Sequence, residues 1–239
     1  MSQPDHRERI VEAALAHVPF DGWSAATLAA AARDSGVAVS LARALFPRGG
    51  TDLALAWHAR LDAAMAGALA AEDLAPLRFR DRVARAVMLR LSLAEREAMR
   101  RSLALFALPQ NAPAGARAAW ATADAIWRAL GDASDDVNWY TKRASLGAVQ
   151  AATALYWLAD DSTGHQATRD FLDRRIAGVM RVERARARLR ANPAARALLW
   201  APMRAIGRIR APAMRRDPPG GPTPAAPAPQ APRNGGARP

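Results

Sequence analysis

Four histidines, His6, His17, His58 and His165, are scattered along the chain, and each would need acidic or histidine neighbours at helical spacing to build a metal site. None has them: there is no HExxH, no ExxH and no close carboxylate cluster, so zinc and carboxylate-bridged di-iron chemistry have no ligand set in the sequence. The chain contains no cysteine, which removes thiolate ligands, thiol nucleophiles and disulfides together. Arg48 to Gly50 reads Arg-Gly-Gly, but the strand, lysine and spacing of a phosphate loop are missing, and neither GxSxG nor a dinucleotide fingerprint occurs. The residue types point away from an enzyme and from any resident cofactor or metal.

The elements that would position a site are helices. Apolar residues recur at three and four spacing, alanine and leucine abound, and alternating strand patterns are almost absent. The pattern predicts about ten helices: 6–17, 24–34 capped by Ser24, 40–45 after the break at Gly36, and a long one capped by Thr51 and running to Ala71. Further helices are predicted over 78–91, 94–108, 113–130, 138–158 and 166–190, with a last one over 193–210 capped by Asn192. The 239 residues, 51% apolar, suffice for one sizeable core. No run approaches the ~20 apolar residues of a spanning helix, and the charged N-terminus lacks the pattern of a signal peptide.

Charge is distributed unevenly. Residues 1–180 carry 21 basic and 20 acidic side chains, whereas 181–239 carry 13 arginines against Glu183 and Asp217. The excess suits an anionic surface, whether membrane, nucleic acid or acidic protein. From Pro212 onward nine prolines fall in 28 residues, a composition that cannot bury a core and is expected to be disordered. On a wheel of about 100° per residue, Leu199, Met203 and Ile206 share one side of the last helix. Arg196, Arg204 and Arg208 take the other, with Trp200 near Arg196. Such a helix is expected to lie in a membrane interface, although Pro202 should kink it.

Residues 1–50 have the helix lengths and glycine turn of a helix-turn-helix, and "AARDSGVAVSLARALFPRGG" resembles the opening unit of TetR-type regulators. Its third helix offers Arg43 alone, with Arg48 beyond, and Asn, Gln and Lys are absent from Asp21 to Gly50. A recognition helix needs such side chains to reach phosphates and base edges. Specific nucleic-acid binding is therefore not expected, and a TetR-type regulator with an apolar effector pocket is the alternative function.

The aromatics collect late. Five of the seven tryptophans lie at or beyond Trp120, and the helix over 138–158 is apolar all round after its first turn, which predicts a central, buried element. Its small residues, Ala144, Gly147, Ala148, Ala151, Ala152 and Ala154, permit either tight packing or room for a ligand. Helix position and apolarity make Trp120, Trp127, Leu146, Val149, Thr153, Tyr156, Trp157 and Phe171 the candidate pocket lining.

The run "DVNWYTKRASLGAVQAATALYWLADDS", followed by "FLDRRIAGV" at Phe171 to Val179, resembles the signature of the TetR-like accessory family of ubiquinone biosynthesis, the ninth protein of the eukaryotic coenzyme Q pathway and its bacterial relatives. "HVPFDGWSAATLAAAARDSGV" at His17 to Val37 is similar to the same family, and the likeness covers about residues 7–190. The resemblance implies an all-α, TetR-like, non-catalytic homodimer that binds an isoprenoid quinone or phospholipid. It also implies presentation of a quinone intermediate to the demethoxyubiquinone hydroxylase, among other ubiquinone-biosynthesis proteins, with Asp136, Trp139 and Tyr140 as the docking patch. The expected organisation is a helix-turn-helix-like unit over 1–50, a lipid-binding domain over 51–190, an amphipathic helix over 191–211 and a tail over 212–239. The composition and the absence of a transit peptide suggest a bacterial source, with the protein cytoplasmic and peripheral on the inner membrane.

Overall fold

The computed structural model describes residues 5–132 and 137–191, and among these it is built from helices alone. Ten α-helices follow in order: α1 (His6–Ala14), α2 (Val18–Asp21), α3 (Ala25–Asp34), α4 (Val39–Leu45), α5 (Gly50–Ala70), α6 (Phe79–Ser92), α7 (Arg96–Ala107), α8 (Ala112–Ala129), α9 (Val137–Leu158) and α10 (Gln166–Ala191). Two 3-10 turns, Pro109–Asn111 and Thr163–His165, lead into α8 and α10. The expected helix over 193–210 and the tail lie outside the described residues.

The helix ends follow local chemistry, with two departures from the sequence pattern. The first helix stops at Ala14 and not at His17, and the chain restarts as α2 with Pro19 in its first turn. A proline there lacks an N–H and would clash with the carbonyl four residues back, so an unbroken helix through 19 is excluded. The long fifth helix is not capped by Thr51. It starts at Gly50, with Gly49 as N-cap, while the Thr51 hydroxyl donates to Asn111 Oδ1 at 3.3 Å. The Asp52 carboxylate instead accepts from the Arg48 backbone N–H at 2.8 Å. Ser24 does cap α3, accepting from Thr27 N at 3.1 Å.

Gly50 shows why the start of α5 admits no side chain. A Cβ there would stand 2.0 Å from the Trp23 carbonyl oxygen, so the first helices and α5 meet backbone to backbone. The Trp23 indole donates to the Ala98 carbonyl at 3.0 Å and its ring lies 5.4 Å from that of Trp57. One apolar core therefore runs without interruption from Ile10 to Ile176, across the expected boundary at residue 50. Each fully buried Leu, Ile, Phe or Met contributes roughly 1.5–3 kcal/mol to that core.

In α9 the structure differs from the expectation of a helix buried on all sides. Leu146, Val149, Thr153, Ala154 and Trp157 are buried, but Ala144 and Ala148 are exposed, Leu155 is 60% exposed and Tyr156 38%. Alanine and a single Leu or Tyr lose little by facing water, so hydropathy alone did not define the buried face.

Candidate functional site

Helices α7, α8 and α9 line an open cavity of about 360 Å³, with α5 beneath it. Its walls include Met99, Leu103 and Phe106 of α7, Ala118 and Ala119 of α8, and Ala151, Ala154 and Leu155 of α9. The volume lies at the lower end of ligand pockets, which are predominantly apolar with a few placed polar groups. Two glycines set the spacing. A Cβ on Gly115 would meet Phe106 Cβ at 2.7 Å, and one on Gly147 would meet the Ala119 carbonyl oxygen at 3.2 Å. Gly115 thus brings α8 close to α7, Gly147 brings α9 close to α8, and alanines leave open space where the helices do not touch.

The polar floor is a buried network. Arg90 of α6 donates from Nε to Asp62 Oδ1 at 2.6 Å and from Nη2 to His58 Nδ1 at 2.9 Å. Thr122 Oγ1 donates to the same Asp62 carboxylate at 3.0 Å, and His58 Nε2 meets Ser102 Oγ at 3.0 Å. A guanidinium only donates, so His58 Nδ1 must be the acceptor and the proton sits on Nε2, pointing at Ser102. The Ser102 hydroxyl in turn donates to the Met99 carbonyl at 2.9 Å. Burial, with the Arg90 charge beside it, pushes the His58 pKa well below its ordinary value and keeps the ring neutral. Burial also raises Asp62, against the opposing pull of Arg90 and Thr122. His58, Thr122 and Gln150 line the cavity, and Gln150 is 4% exposed.

None of the eight residues expected to line a pocket borders this cavity. Leu146, Val149, Thr153 and Trp157 form the neighbouring buried stripe of α9, roughly a third of a turn away from Gln150, Ala151, Ala154 and Leu155. Val149 instead borders an open groove between α9 and α10, with Ala148, Ala152, Gly178 and Val179, rimmed by Arg174, Arg175 and Arg181. Tyr156 stacks on Phe171 at 4.5 Å, Trp127 on Phe79 at 5.5 Å, and Arg96 lies 5.5 Å over the Trp157 ring. Trp120 joins Trp139 and Tyr140, at 5.7 and 6.2 Å between ring centroids.

That trio is the second feature of the region. Trp139 and Tyr140 meet edge to face at 4.7 Å in the first turn of α9, and both are half-buried. Arg143, one turn on, is buried with its guanidinium 4.1 Å over the Trp139 ring. Its Nε donates to Asp124 at 2.6 Å and its Nη1 to Asp132 at 3.3 Å and to the Trp139 carbonyl at 3.2 Å. Asp136 lies outside the described residues, as do Arg196, Leu199, Trp200, Met203, Arg204, Ile206 and Arg208 of the expected membrane helix.

In the helix-turn-helix-like unit, α4 exposes Ser40, Leu41, Arg43 and Ala44, with Ala42 and Phe46 buried beneath. Among the described residues no group of three His, Asp or Glu could hold a metal, and no helix is long and apolar enough to cross a membrane.

This succession of helices is a known architecture. A solved TetR transcriptional regulator from Nitrosomonas europaea superposes with a TM-score of 0.57 at 21% identity, covering 73% of this chain and 97% of that one. The class is therefore an all-α, TetR-like fold. Residues 112–183, which hold α8, α9 and the described side chains of α10, match the COQ9 family model. The proteins named "Ubiquinone biosynthesis protein COQ9, mitochondrial" of Drosophila melanogaster, Rattus norvegicus and Homo sapiens are 33%, 32% and 31% identical to it. The matches cover 71%, 75% and 75% of this chain and 54%, 60% and 59% of those proteins, so the chain spans little more than half their length. Over residues 112–183 the chain matches the COQ9 family model, and it is similar to COQ9 proteins over about three quarters of its own length.

Proposed function

We propose that this protein is a non-catalytic lipid-binding protein of ubiquinone biosynthesis. It holds an isoprenoid quinone or phospholipid in the cavity between α7, α8 and α9 and presents a quinone intermediate to the demethoxyubiquinone hydroxylase. The observation that carries the reading is the apolar cavity itself, since two of its three walls come from the stretch that matches the family. The names of the relatives support the pathway.

Trp139 and Tyr140 suit the docking role. Aromatic rings at a helix start, half-exposed and held by a buried arginine, make rigid anchors of the kind that dominate interface energetics. Membrane association at the cytoplasmic face of a bacterial inner membrane is supported by the arginine excess after residue 180 and the amphipathic pattern over 191–211. A homodimer is supported by exposed apolar side chains on α9 and α10, among them Tyr156, Met180 and Val182.

Native mass spectrometry of the purified full chain, followed by extraction and identification of what co-purifies, tests the reading. A stoichiometric isoprenoid quinone or phospholipid on a dimer is the expected result. A ligand-free protein that also takes up no added quinone overturns it.

A further inference from the structure

Gln150 is 4% exposed, borders the cavity, and its carboxamide has no hydrogen-bond partner among the described residues. Among the three polar side chains that line the cavity, His58, Thr122 and Gln150, it is alone in this. The Thr122 hydroxyl is spent on Asp62, and both ring nitrogens of His58 are engaged, one by Arg90 and one by Ser102. The rest of the α9 wall is Ala151, Ala154 and Leu155. Its amide is therefore open to whatever fills the cavity. Packing alone does not require an amide here, because a methionine or leucine would fill the same volume.

We propose that Gln150 anchors the head of the bound lipid through its carboxamide, and that the head it selects is an uncharged oxygenated ring, not a phosphate. The first half follows from valence. A carboxamide presents one acceptor oxygen and two N–H donors, so it pairs at once with a ring carbonyl as donor and with a ring hydroxyl as acceptor. The second half follows from charge. No lysine or arginine lines the cavity. His58 is held neutral by the arginine behind it, and Arg90 is itself drawn to Asp62. A phosphate moved into this space would lose part of its hydration and find no cation in the lining, which is unfavourable. At about 360 Å³ the cavity has room for about twelve waters at their liquid share of roughly 30 Å³ each. That is space for a substituted ring and the start of a chain, with the remainder of a polyprenyl tail outside the cavity.

The inference rests on the cavity being the lipid site, and the test separates the two. Full-length protein, freed of lipid, is titrated with a ubiquinone bearing a short isoprenoid chain, with an oxygen-free isoprenoid hydrocarbon of similar length, and with a short-chain phosphatidylcholine. The same titrations are run on Gln150→Met, which keeps the volume and removes both hydrogen bonds, and on Gln150→Asn, which withdraws the amide by one methylene. Circular dichroism checks that both fold. The expected result is a loss of about tenfold in quinone affinity in both variants, as one to two buried hydrogen bonds imply. Hydrocarbon binding stays unchanged, and phosphatidylcholine binds the wild type more weakly than the quinone does. Quinone and hydrocarbon binding that is alike in wild type and Gln150→Met overturns the anchor while the lipid cavity stands. Phosphatidylcholine binding as tight as the quinone overturns the head-group selection. Failure of the wild type to bind any of the three overturns the lipid site and the anchor with it.

Discussion

Arg90 and Asp62, 28 residues apart on α6 and α5, form an ion pair with Nε and Oδ1 2.6 Å apart and almost no access to water. The pair closes the floor of the cavity, because Thr122 of α8 donates to the same carboxylate and His58 leans on the same guanidinium. Removing one partner leaves a bare charge in the interior. Asp62→Ala is expected to destabilise the protein by about 3–5 kcal/mol. Replacing both, as Asp62→Leu with Arg90→Met, is expected to recover most of that loss. Urea midpoints at constant slope for the two single variants and the double one give the answer, and an additive double variant would argue against a coupled pair.

The neutral His58 makes stability fall on mild acidification. Its folded pKa lies below the ordinary value of 6.5, so its contribution is complete above that pH. It declines as pH drops toward the folded pKa, because the unfolded chain takes up a proton that the folded one refuses. The slope from this one site is at most about 1.4 kcal/mol per pH unit. Asp62, raised by burial from 3.8, acts with the opposite sign and returns some stability as pH falls through its folded pKa. Unfolding followed between pH 7.5 and 5, values chosen to bracket the histidine range, should show a shallower pH dependence in His58→Gln than in the wild type.

Two glycines on α5 should respond in opposite directions to the same substitution. Gly50→Ala drives a Cβ into the Trp23 carbonyl and is expected to cost at least the ~1–3 kcal/mol of overpacking. Gly67 is exposed and has nothing within 4 Å of its would-be Cβ, so Gly67→Ala is expected to stabilise by about 0.5–1 kcal/mol. Thermal unfolding of the two variants side by side checks the pair.

The aromatic cluster separates docking from folding. Trp139→Ala removes a half-buried ring and is expected to lower affinity for the demethoxyubiquinone hydroxylase by at least tenfold, in the range of an interface hot spot, with helix content unchanged. Arg143→Met strips the charge that faces Asp124 and Asp132, and is expected to cost about 3–5 kcal/mol of stability as well. Binding that persists in Trp139→Ala would remove this face as the docking site.

Acidic residues can also tie a turn. Asp160 accepts from the backbone N–H groups of Ser162 and Thr168, each at 2.9 Å, and these two residues hold its carboxyl well below the usual carboxylate range. Asp160→Ala is expected to loosen the turn between α9 and α10. Faster amide exchange at Ser162 and Thr168, and not elsewhere, is the measurement.

Much of this was legible in the chain before any coordinates. The helical class follows from three-and-four spacing, and the break at Gly36 is a glycine at φ of 66°, which side chains rarely adopt. The Asn-Trp-Tyr-Thr-Lys-Arg element pointed to the family that α8 and α9 match. The lining of the cavity was less legible. Choosing the most apolar stripe of α9 selected Leu146, Thr153 and Trp157, which fill the core, and Val149, which borders the separate groove between α9 and α10. The one amide in the run from Leu146 to Leu158 is Gln150, which does border the cavity.

What the sequence determined by itself was the helical class and the approximate span of most helices, that no metal-binding or nucleophile motif is spelled out, and which family the chain resembles. Those properties depend on neighbours within a turn or two, and local spacing records them. Only the tertiary structure decided that His58, Asp62, Arg90, Ser102 and Thr122 share one buried network, and that Gln150 is left facing an open cavity beside it. The partners stand 28 to 60 residues apart on four different helices, and no periodicity encodes which stripe of one helix meets which stripe of another.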